Sequence, residues 1–192
     1  TGFNEVAIDG AIVDGKLDRD AIRAALAERR PERIRFIAQA MRLGLPNDEI
    51  KRACGFDMWF LDQILAIVEA EEKIRISGLP ECASGMLRLK KQGFSDERLA
   101  ELVNGSATMI AQQRRSLSIR PVYKRVDTCA GEFASQTSYL YSCYEGDGAG
   151  PAENEADPTD RKKVVILGGG PNRIGQGIEF DYCCVHAAFA LK

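Results

Sequence analysis

Asp57-Met58-Trp59-Phe60-Leu61-Asp62-Gln63-Ile64-Leu65-Ala66-Ile67-Val68-Glu69-Ala70-Glu71-Glu72-Lys73-Ile74 is the stretch whose period decides the fold class. Leu61, Ile64, Leu65 and Val68 recur at three- and four-residue intervals, with Phe60 and Ile67 beside them. That is the spacing of an α-helix with apolar side chains on two faces. Asp57 is suited to cap the helix, because its carboxylate can accept from the free amides of the first turn. Glu69, Glu71, Glu72 and Lys73 make the last turns polar. The spacing predicts a helix from Met58 to about Ile74, with Trp59 near its start as a core or interface anchor.

Working outward, the same period runs through residues 17–115. Asp18 is the cap of a first helix reaching to about Arg30, with Ile22, Ala25 and Leu26 on one face. Pro31 opens a second helix in which Ile34, Ile37, Ala38 and Met41 form one stripe and Phe36, Ala40 and Leu43 another. Gly44 is its expected stop. Gly44-Leu45-Pro46-Asn47-Asp48-Glu49-Ile50 lines up with Gly93-Phe94-Ser95-Asp96-Glu97-Arg98-Leu99, an offset of 93 − 44 = 49 residues. Each copy reads as a helix, a glycine stop and a capped short helix, ended at Gly55 and Gly105. The expected architecture is mainly α, a bundle of two related helical halves. Its core should include Ile34, Ile37, Met41, Phe60, Ile64, Ile67 and Leu99.

The chain has 192 residues, 45% of them hydrophobic and 28% charged, with a net charge of −2. Such a chain can bury a core of its own. Lys and Arg are scattered in short runs and the net charge is acidic, which argues against a nucleic-acid surface. No apolar run approaches the ~20 residues of a membrane span. The six cysteines include no C-x-x-C pair, and there is one histidine, His186, so a zinc site is not expected. Reduced, cytoplasmic thiols are the simpler reading. The first residue is Thr1 and the last, Lys192, falls in a helical pattern. The chain is therefore expected to belong to something longer.

Past Pro121 the period changes. Val122-Tyr123-Lys124-Arg125-Val126 alternates as a short strand does, and Tyr139, Leu140, Tyr141 and Tyr144 form a compact apolar segment. Residues 145–160 carry Gly, Pro and six acidic residues without a basic one, the composition of a solvated linker. Val164-Val165-Ile166-Leu167 then reads as a buried strand. A glycine-rich loop follows, Gly168 to Gly177, and a helix from Ile178 to Lys192. The dinucleotide pattern G-x-G-x-x-G puts its third glycine on Arg173, and the P-loop pattern finds Gln176 where lysine belongs, so neither phosphate cradle fits. The organisation is a helical and connector domain over 1–145, a linker over 146–163 and the truncated start of an α/β domain over 164–192.

The stretch Val164 to His186 resembles the opening of the second ATP-grasp half of carbamoyl-phosphate synthetase large subunits. Arg120 to Phe133 is similar to the connector before it. Trp59 to Ile64 and Gly93 to Asp96 resemble the helical oligomerisation domain between the two synthetase halves. The resemblance spans nearly the whole chain. It implies a parent enzyme that makes carbamoyl phosphate from bicarbonate, ATP with Mg²⁺ or Mn²⁺, and ammonia from a glutaminase small subunit, for pyrimidine and arginine biosynthesis. It implies self-association with other large subunits, and a tunnel for carbamate near Arg173, Gly177 and Glu179. The ATP-grasp modules lie outside these residues, so no catalytic residue, cofactor or metal is expected within them. Partnership with nucleic acid or membrane is not expected either. Two rivals remain: a freestanding helical module for protein or nucleic acid, and a nucleotide-binding enzyme built on 164–192. One βα unit is too little for the second, since it cannot form a parallel sheet.

Overall fold

A computed structural model describes residues 3–137, 139–167 and 179–192. The chain divides into two compact units, Thr1–Ala156 and Asp157–Lys192. The fold is mainly α, as the period predicts.

In the first unit a small hairpin, β1 (Ile12–Val13) and β2 (Lys16–Leu17), precedes α1 (Arg19–Ala27). Asp14 and Gly15 make its turn, both with positive φ, the backbone that an Asp-Gly pair favours. Then come α2 (Arg33–Arg42), α3 (Asn47–Cys54), α4 (Met58–Ser77), α5 (Ala83–Lys91), α6 (Asp96–Leu102) and α7 (Ala107–Ser116). Asp18, Asp57, Ser95 and Ser106 each cap a helix by accepting a first-turn amide.

The 49-residue repeat extends over three helices, α2–α3–α4 and α5–α6–α7. Gly44 and Gly93 both end a helix with φ near +85°, at +83° and +89°. Leu45 N–H donates to the Ala40 carbonyl at 3.0 Å, and Phe94 N–H to Leu89 at 3.2 Å. These are the same helix-ending bond, 49 residues apart. Ile37 and Met86, Leu45 and Phe94, Ile50 and Leu99, Leu61 and Ile110 are all buried, each pair at that offset. The caps Asp57 and Ser106 repeat too. Gly105 ends α6 as the sequence pattern expects, but the left-handed residue there is its neighbour. That conformation falls on Asn104 (φ 52°), and Gly105 N–H closes the helix by donating to Ala100 O at 2.9 Å. Asparagine tolerates left-handed backbone well enough to take the glycine's place.

Each repeat has its own core. Ile22, Leu26, Ile37, Ala38, Ile50, Leu61, Ile64 and Val68 belong to the first. Ile74, Met86, Leu87, Leu89, Phe94, Leu99 and Ile110 belong to the second, with Ile67 partly buried against it. Helix α4 serves both cores, its first half in one and its second half in the other. Of the expected core residues, Ile37, Met41, Ile64 and Leu99 are buried, but Ile34 and Phe60 are 41% and 55% exposed. Leu61, Ile64 and Val68 hold the buried stripe of α4. Phe60 stands about 40° beyond Ile64, at the edge of that stripe and in the first turn, where no described element covers it. Ile34 lies in the first turn of α2, one turn before the packed residues begin.

β3 (Val122–Arg125) pairs antiparallel with β4 (Leu140–Cys143), Val122 opposite Cys143 and Arg125 opposite Leu140. β4 is the apolar segment that the sequence left without a type. The acidic stretch does not behave wholly as a solvated linker: its residues 153–155 bond to β3. In the second unit, Val164 to Leu167 forms no ladder and is exposed, with Leu167 92% accessible. Among the described residues the expected buried strand has no neighbouring strand to pair with. The described helix there is α8 (Glu179–Leu191). Among the described residues no helix is long and apolar enough to cross a membrane.

Candidate association face and charged joint

The long helix α4 positions two features. At its first turn, immediately after the Asp57 cap, Trp59 and Phe60 project outward, 61% and 55% exposed. Their rings meet edge to face, 4.9 Å between centroids at 87°. That is a favourable aromatic geometry held on a rigid element. Met109 occupies the same place in the second repeat (109 − 60 = 49) and is also exposed. Each repeat thus presents an uncovered apolar side chain at the first turn of its third helix. Exposed aromatic anchors of this kind are the residues that dominate protein interfaces. Trp59, expected to anchor a core or an interface, lies outside both cores.

About three turns on, α4 buries Glu71 completely. Its carboxylate accepts from Arg98 Nε at 2.8 Å and Nη2 at 2.9 Å, and from Arg42 Nη2 at 2.7 Å. Arg98 also reaches Glu101 at 2.9 Å and Glu5 at 3.2 Å, while Arg75 pairs with Glu5. The cluster ties the N-terminal segment, α2, α4 and α6 at the seam between the cores. The hydrogen bonds that Arg98 donates to Glu71 hold its guanidinium protonated above the ordinary range, against the effect of burial. Burial pushes Glu5 up, but the hydrogen bond and charge of Arg98 outweigh it and hold Glu5 at about 2. A carboxylate so engaged is a poor general base at neutral pH. A second buried cation, Lys90, donates to Phe94 O at 2.6 Å and Asp96 Oδ1 at 2.8 Å, and Arg114 Nη2 reaches the other oxygen of Asp96 at 2.9 Å. Its counterpart in the first repeat is Met41.

Among the described residues no three His, Cys, Asp or Glu side chains are grouped to hold a metal ion, and the buried carboxylate Glu71 is taken up by guanidiniums. The donor set therefore does not fit the Mg²⁺ of ATP chemistry. Of the residues expected near a tunnel, Arg173 and Gly177 lie outside the described residues. Glu179 is the first residue of α8, and its side chain is outside the description. The charged joint escaped the sequence reading. Its signal is an acid on the apolar stripe: Glu71 stands three residues after Val68 and three before Ile74.

Residues 2–118 match the family model for the carbamoyl-phosphate synthetase large chain, oligomerisation domain. That span takes in the whole helical body. The chain belongs to the carbamoyl-phosphate synthetase large-chain family. Residues 160–192 match the carbamoyl phosphate synthase preATP-grasp domain. Among similar proteins, the carbamoyl phosphate synthase large chain of Brucella melitensis is 56% identical over 191 residues and that of Rhizobium meliloti 55% over 192, each match covering 100% of this chain. The large chain of Ralstonia nicotianae is 52% identical over 189 residues, 98% of this chain. The chain spans 16% of the length of the first two relatives and 17% of the third. In family terms the helical body with Trp59, Phe60 and the Glu71 joint is the oligomerisation domain, and α8 falls in the preATP-grasp segment.

Proposed function

We infer that this chain is the non-catalytic self-association and connecting part of a glutamine-dependent carbamoyl-phosphate synthase large chain. The observation that carries this reading is the oligomerisation-domain match across the helical body, together with Trp59 and Phe60 exposed on its longest helix. The partner is a second large chain, which docks on the aromatic face of α4. The whole enzyme makes carbamoyl phosphate from bicarbonate, ATP with its metal ion, and ammonia from a glutaminase small subunit, in the cytoplasm, for pyrimidine and arginine synthesis. ATP and the metal belong to parts of the enzyme outside these residues. Within this chain, by the family resemblance, Arg173, Gly177 and Glu179 line the carbamate path, and a large side chain at Gly177 would uncouple glutamine hydrolysis from product. The chain itself binds no ATP.

Light scattering on the 192-residue chain and on a Trp59→Ser/Phe60→Ser variant tests the association reading. The parent should be a dimer or larger at tens of micromolar, and the variant a folded monomer. An unchanged assembly in the variant would place the interface elsewhere. A monomeric parent would remove self-association from this part of the enzyme. Calorimetry with ATP should show no saturable heat.

A further inference from the structure

Residues 146–156 form a strap laid over the connector, and none of them is buried. Three contacts hold it. At its start, Lys91 Nζ donates to Gly146 O at 2.6 Å. Next, Gly148 (φ +87°) lies so close to α5 that a Cβ there would come within 2.9 Å of Ser84 N. At its end the strap covers the edge of β3 that β4 leaves free. Glu155 N–H donates to Tyr123 O at 2.9 Å, while Tyr123 N–H donates to Asn154 Oδ1 at 3.1 Å and Arg125 N–H to Glu155 Oε2 at 2.6 Å. Two side-chain oxygens thus stand where a third strand would offer carbonyls, so the edge is covered without a true ladder.

The centre of this end is one ammonium. Lys124 is buried beneath the strap, and its Nζ lies 3.0 Å from Glu153, 3.2 Å from Glu155 and 3.6 Å from Glu145. One positive charge therefore gathers three carboxylates. Without it they would repel one another, so losing the lysine charge drives the strap off rather than merely loosening it. The carboxylates are partly in solvent, the Glu153 side chain 79% exposed, so mobile counterions can compete for them. The strap itself contributes no side chain to either apolar cluster.

We propose that residues 146–156 are an ionic latch, closed by Lys124 on Glu145, Glu153 and Glu155, that opens without unfolding the helical body and sets the length of free chain leaving the first unit. Ala156 is the last residue of that unit. Opening adds eleven residues of free chain, a root-mean-square span of roughly 18 Å for a flexible segment. The latch uses charge where a permanent attachment would use apolar burial, so it responds to whatever competes for those carboxylates or for that ammonium.

Hydrogen–deuterium exchange on the 192-residue chain tests this. Peptides covering 122–126 and 145–156 would be followed as salt rises from about 0.01 M to about 1 M, which shortens the screening length from roughly 30 Å to about 3 Å. The strap peptides should exchange at least about tenfold faster at high salt while α2 to α7 keep their protection, since local opening draws on its own free energy. Lys124→Met keeps the buried stem and removes the charge. It should show the fast exchange already at low salt and little further salt response. Gly148→Ala attacks the latch away from the ionic centre, and should also free the strap. Strap exchange that is indifferent to salt in the parent overturns the latch. So does protection lost together with that of the helices, in the parent at high salt or in Gly148→Ala.

Discussion

Glu71 and Arg98 face each other fork to fork, 2.8 Å and 2.9 Å across, although they come from different repeats of the helical body. Glu71 stands in the second half of α4, between Val68 of the first core and Ile74 of the second. Arg98 stands on α6 of the second repeat, and Arg42, on α2 of the first, takes the remaining side of the same carboxylate. The two halves are therefore joined by a shared helix and by one buried anion between two cations. An apolar seam would be just as tight, but a paired, directional contact fixes the register of the halves.

Removing one partner exposes the cost of the buried charge. Arg98→Met leaves Glu71 with Arg42 alone and should cost about 3–5 kcal/mol in urea unfolding. Arg98→Met/Glu71→Met replaces the fork by apolar side chains and should cost clearly less than the two single losses summed. Additive losses would show that Glu71 and Arg98 are not coupled through this contact.

The helical body was legible because its information is local. The stripe Leu61, Ile64, Val68, the glycine stops and the Asp and Ser caps are each set by a few neighbouring residues. Which stripe of a two-faced helix is covered depends on distant elements, and that is why Phe60 and Ile34 turned out exposed. The hairpin at residues 12–17 had a local signal in Asp14-Gly15 that went unread. Glu71 was read as part of a polar helix end, since nothing near it in sequence names Arg42 and Arg98 as partners. In the sequence Lys124 is one residue of an alternating strand pattern. Its carboxylates lie some 20 to 30 residues on, in a segment whose composition alone reads as linker.

Acid should loosen the N-terminal tie before it unfolds the cores. Glu5 has a folded pKa of about 2 against an ordinary 4.5. Its contribution to stability is thus fully present above about pH 4.5 and is lost as pH falls toward about 2. Asp96, held down by its hydrogen bonds from Arg114 and Lys90 against the effect of burial, acts in the same direction. The urea midpoint should drop across this window, and Glu5→Gln should flatten the drop only in part. Parallel curves for the parent and Glu5→Gln would remove Glu5 from the acid response.

Two glycines separate backbone need from spare room. A Cβ on Gly85 would meet Pro80 Cβ at 2.5 Å and Cys82 Sγ at 3.2 Å, in a buried corner at the start of α5. A Cβ on Gly105 would meet Met109 Cε at 2.5 Å, but that is the end of a flexible, half-exposed side chain. Neither glycine has the positive φ that would strain alanine. Gly85→Ala should therefore cost about 1–3 kcal/mol, as overpacking does, and Gly105→Ala should be nearly neutral. Thermal unfolding of the two variants decides it, and equal losses would mean that Pro80 yields as easily as Met109.

The sharpest contrast lies within a single turn of α4. Ile64 is 5% exposed and packs in the first core, whereas Phe60, four residues earlier, is 55% exposed. Ile64→Ala deletes buried methyl groups and leaves a cavity, so it should cost about 2–5 kcal/mol of folding stability. Phe60→Ala removes a larger side chain, yet in an isolated protomer it should cost within about 0.5 kcal/mol, the range of ordinary surface changes. If α4 carries the association face, Phe60→Ala instead weakens assembly, and its midpoint of unfolding becomes less dependent on protein concentration than the parent's. Urea unfolding at two protein concentrations separates the cases. A loss at Phe60 that matches Ile64 and is independent of concentration would put that ring in a core, and a concentration dependence identical to the parent's would exclude it from the interface.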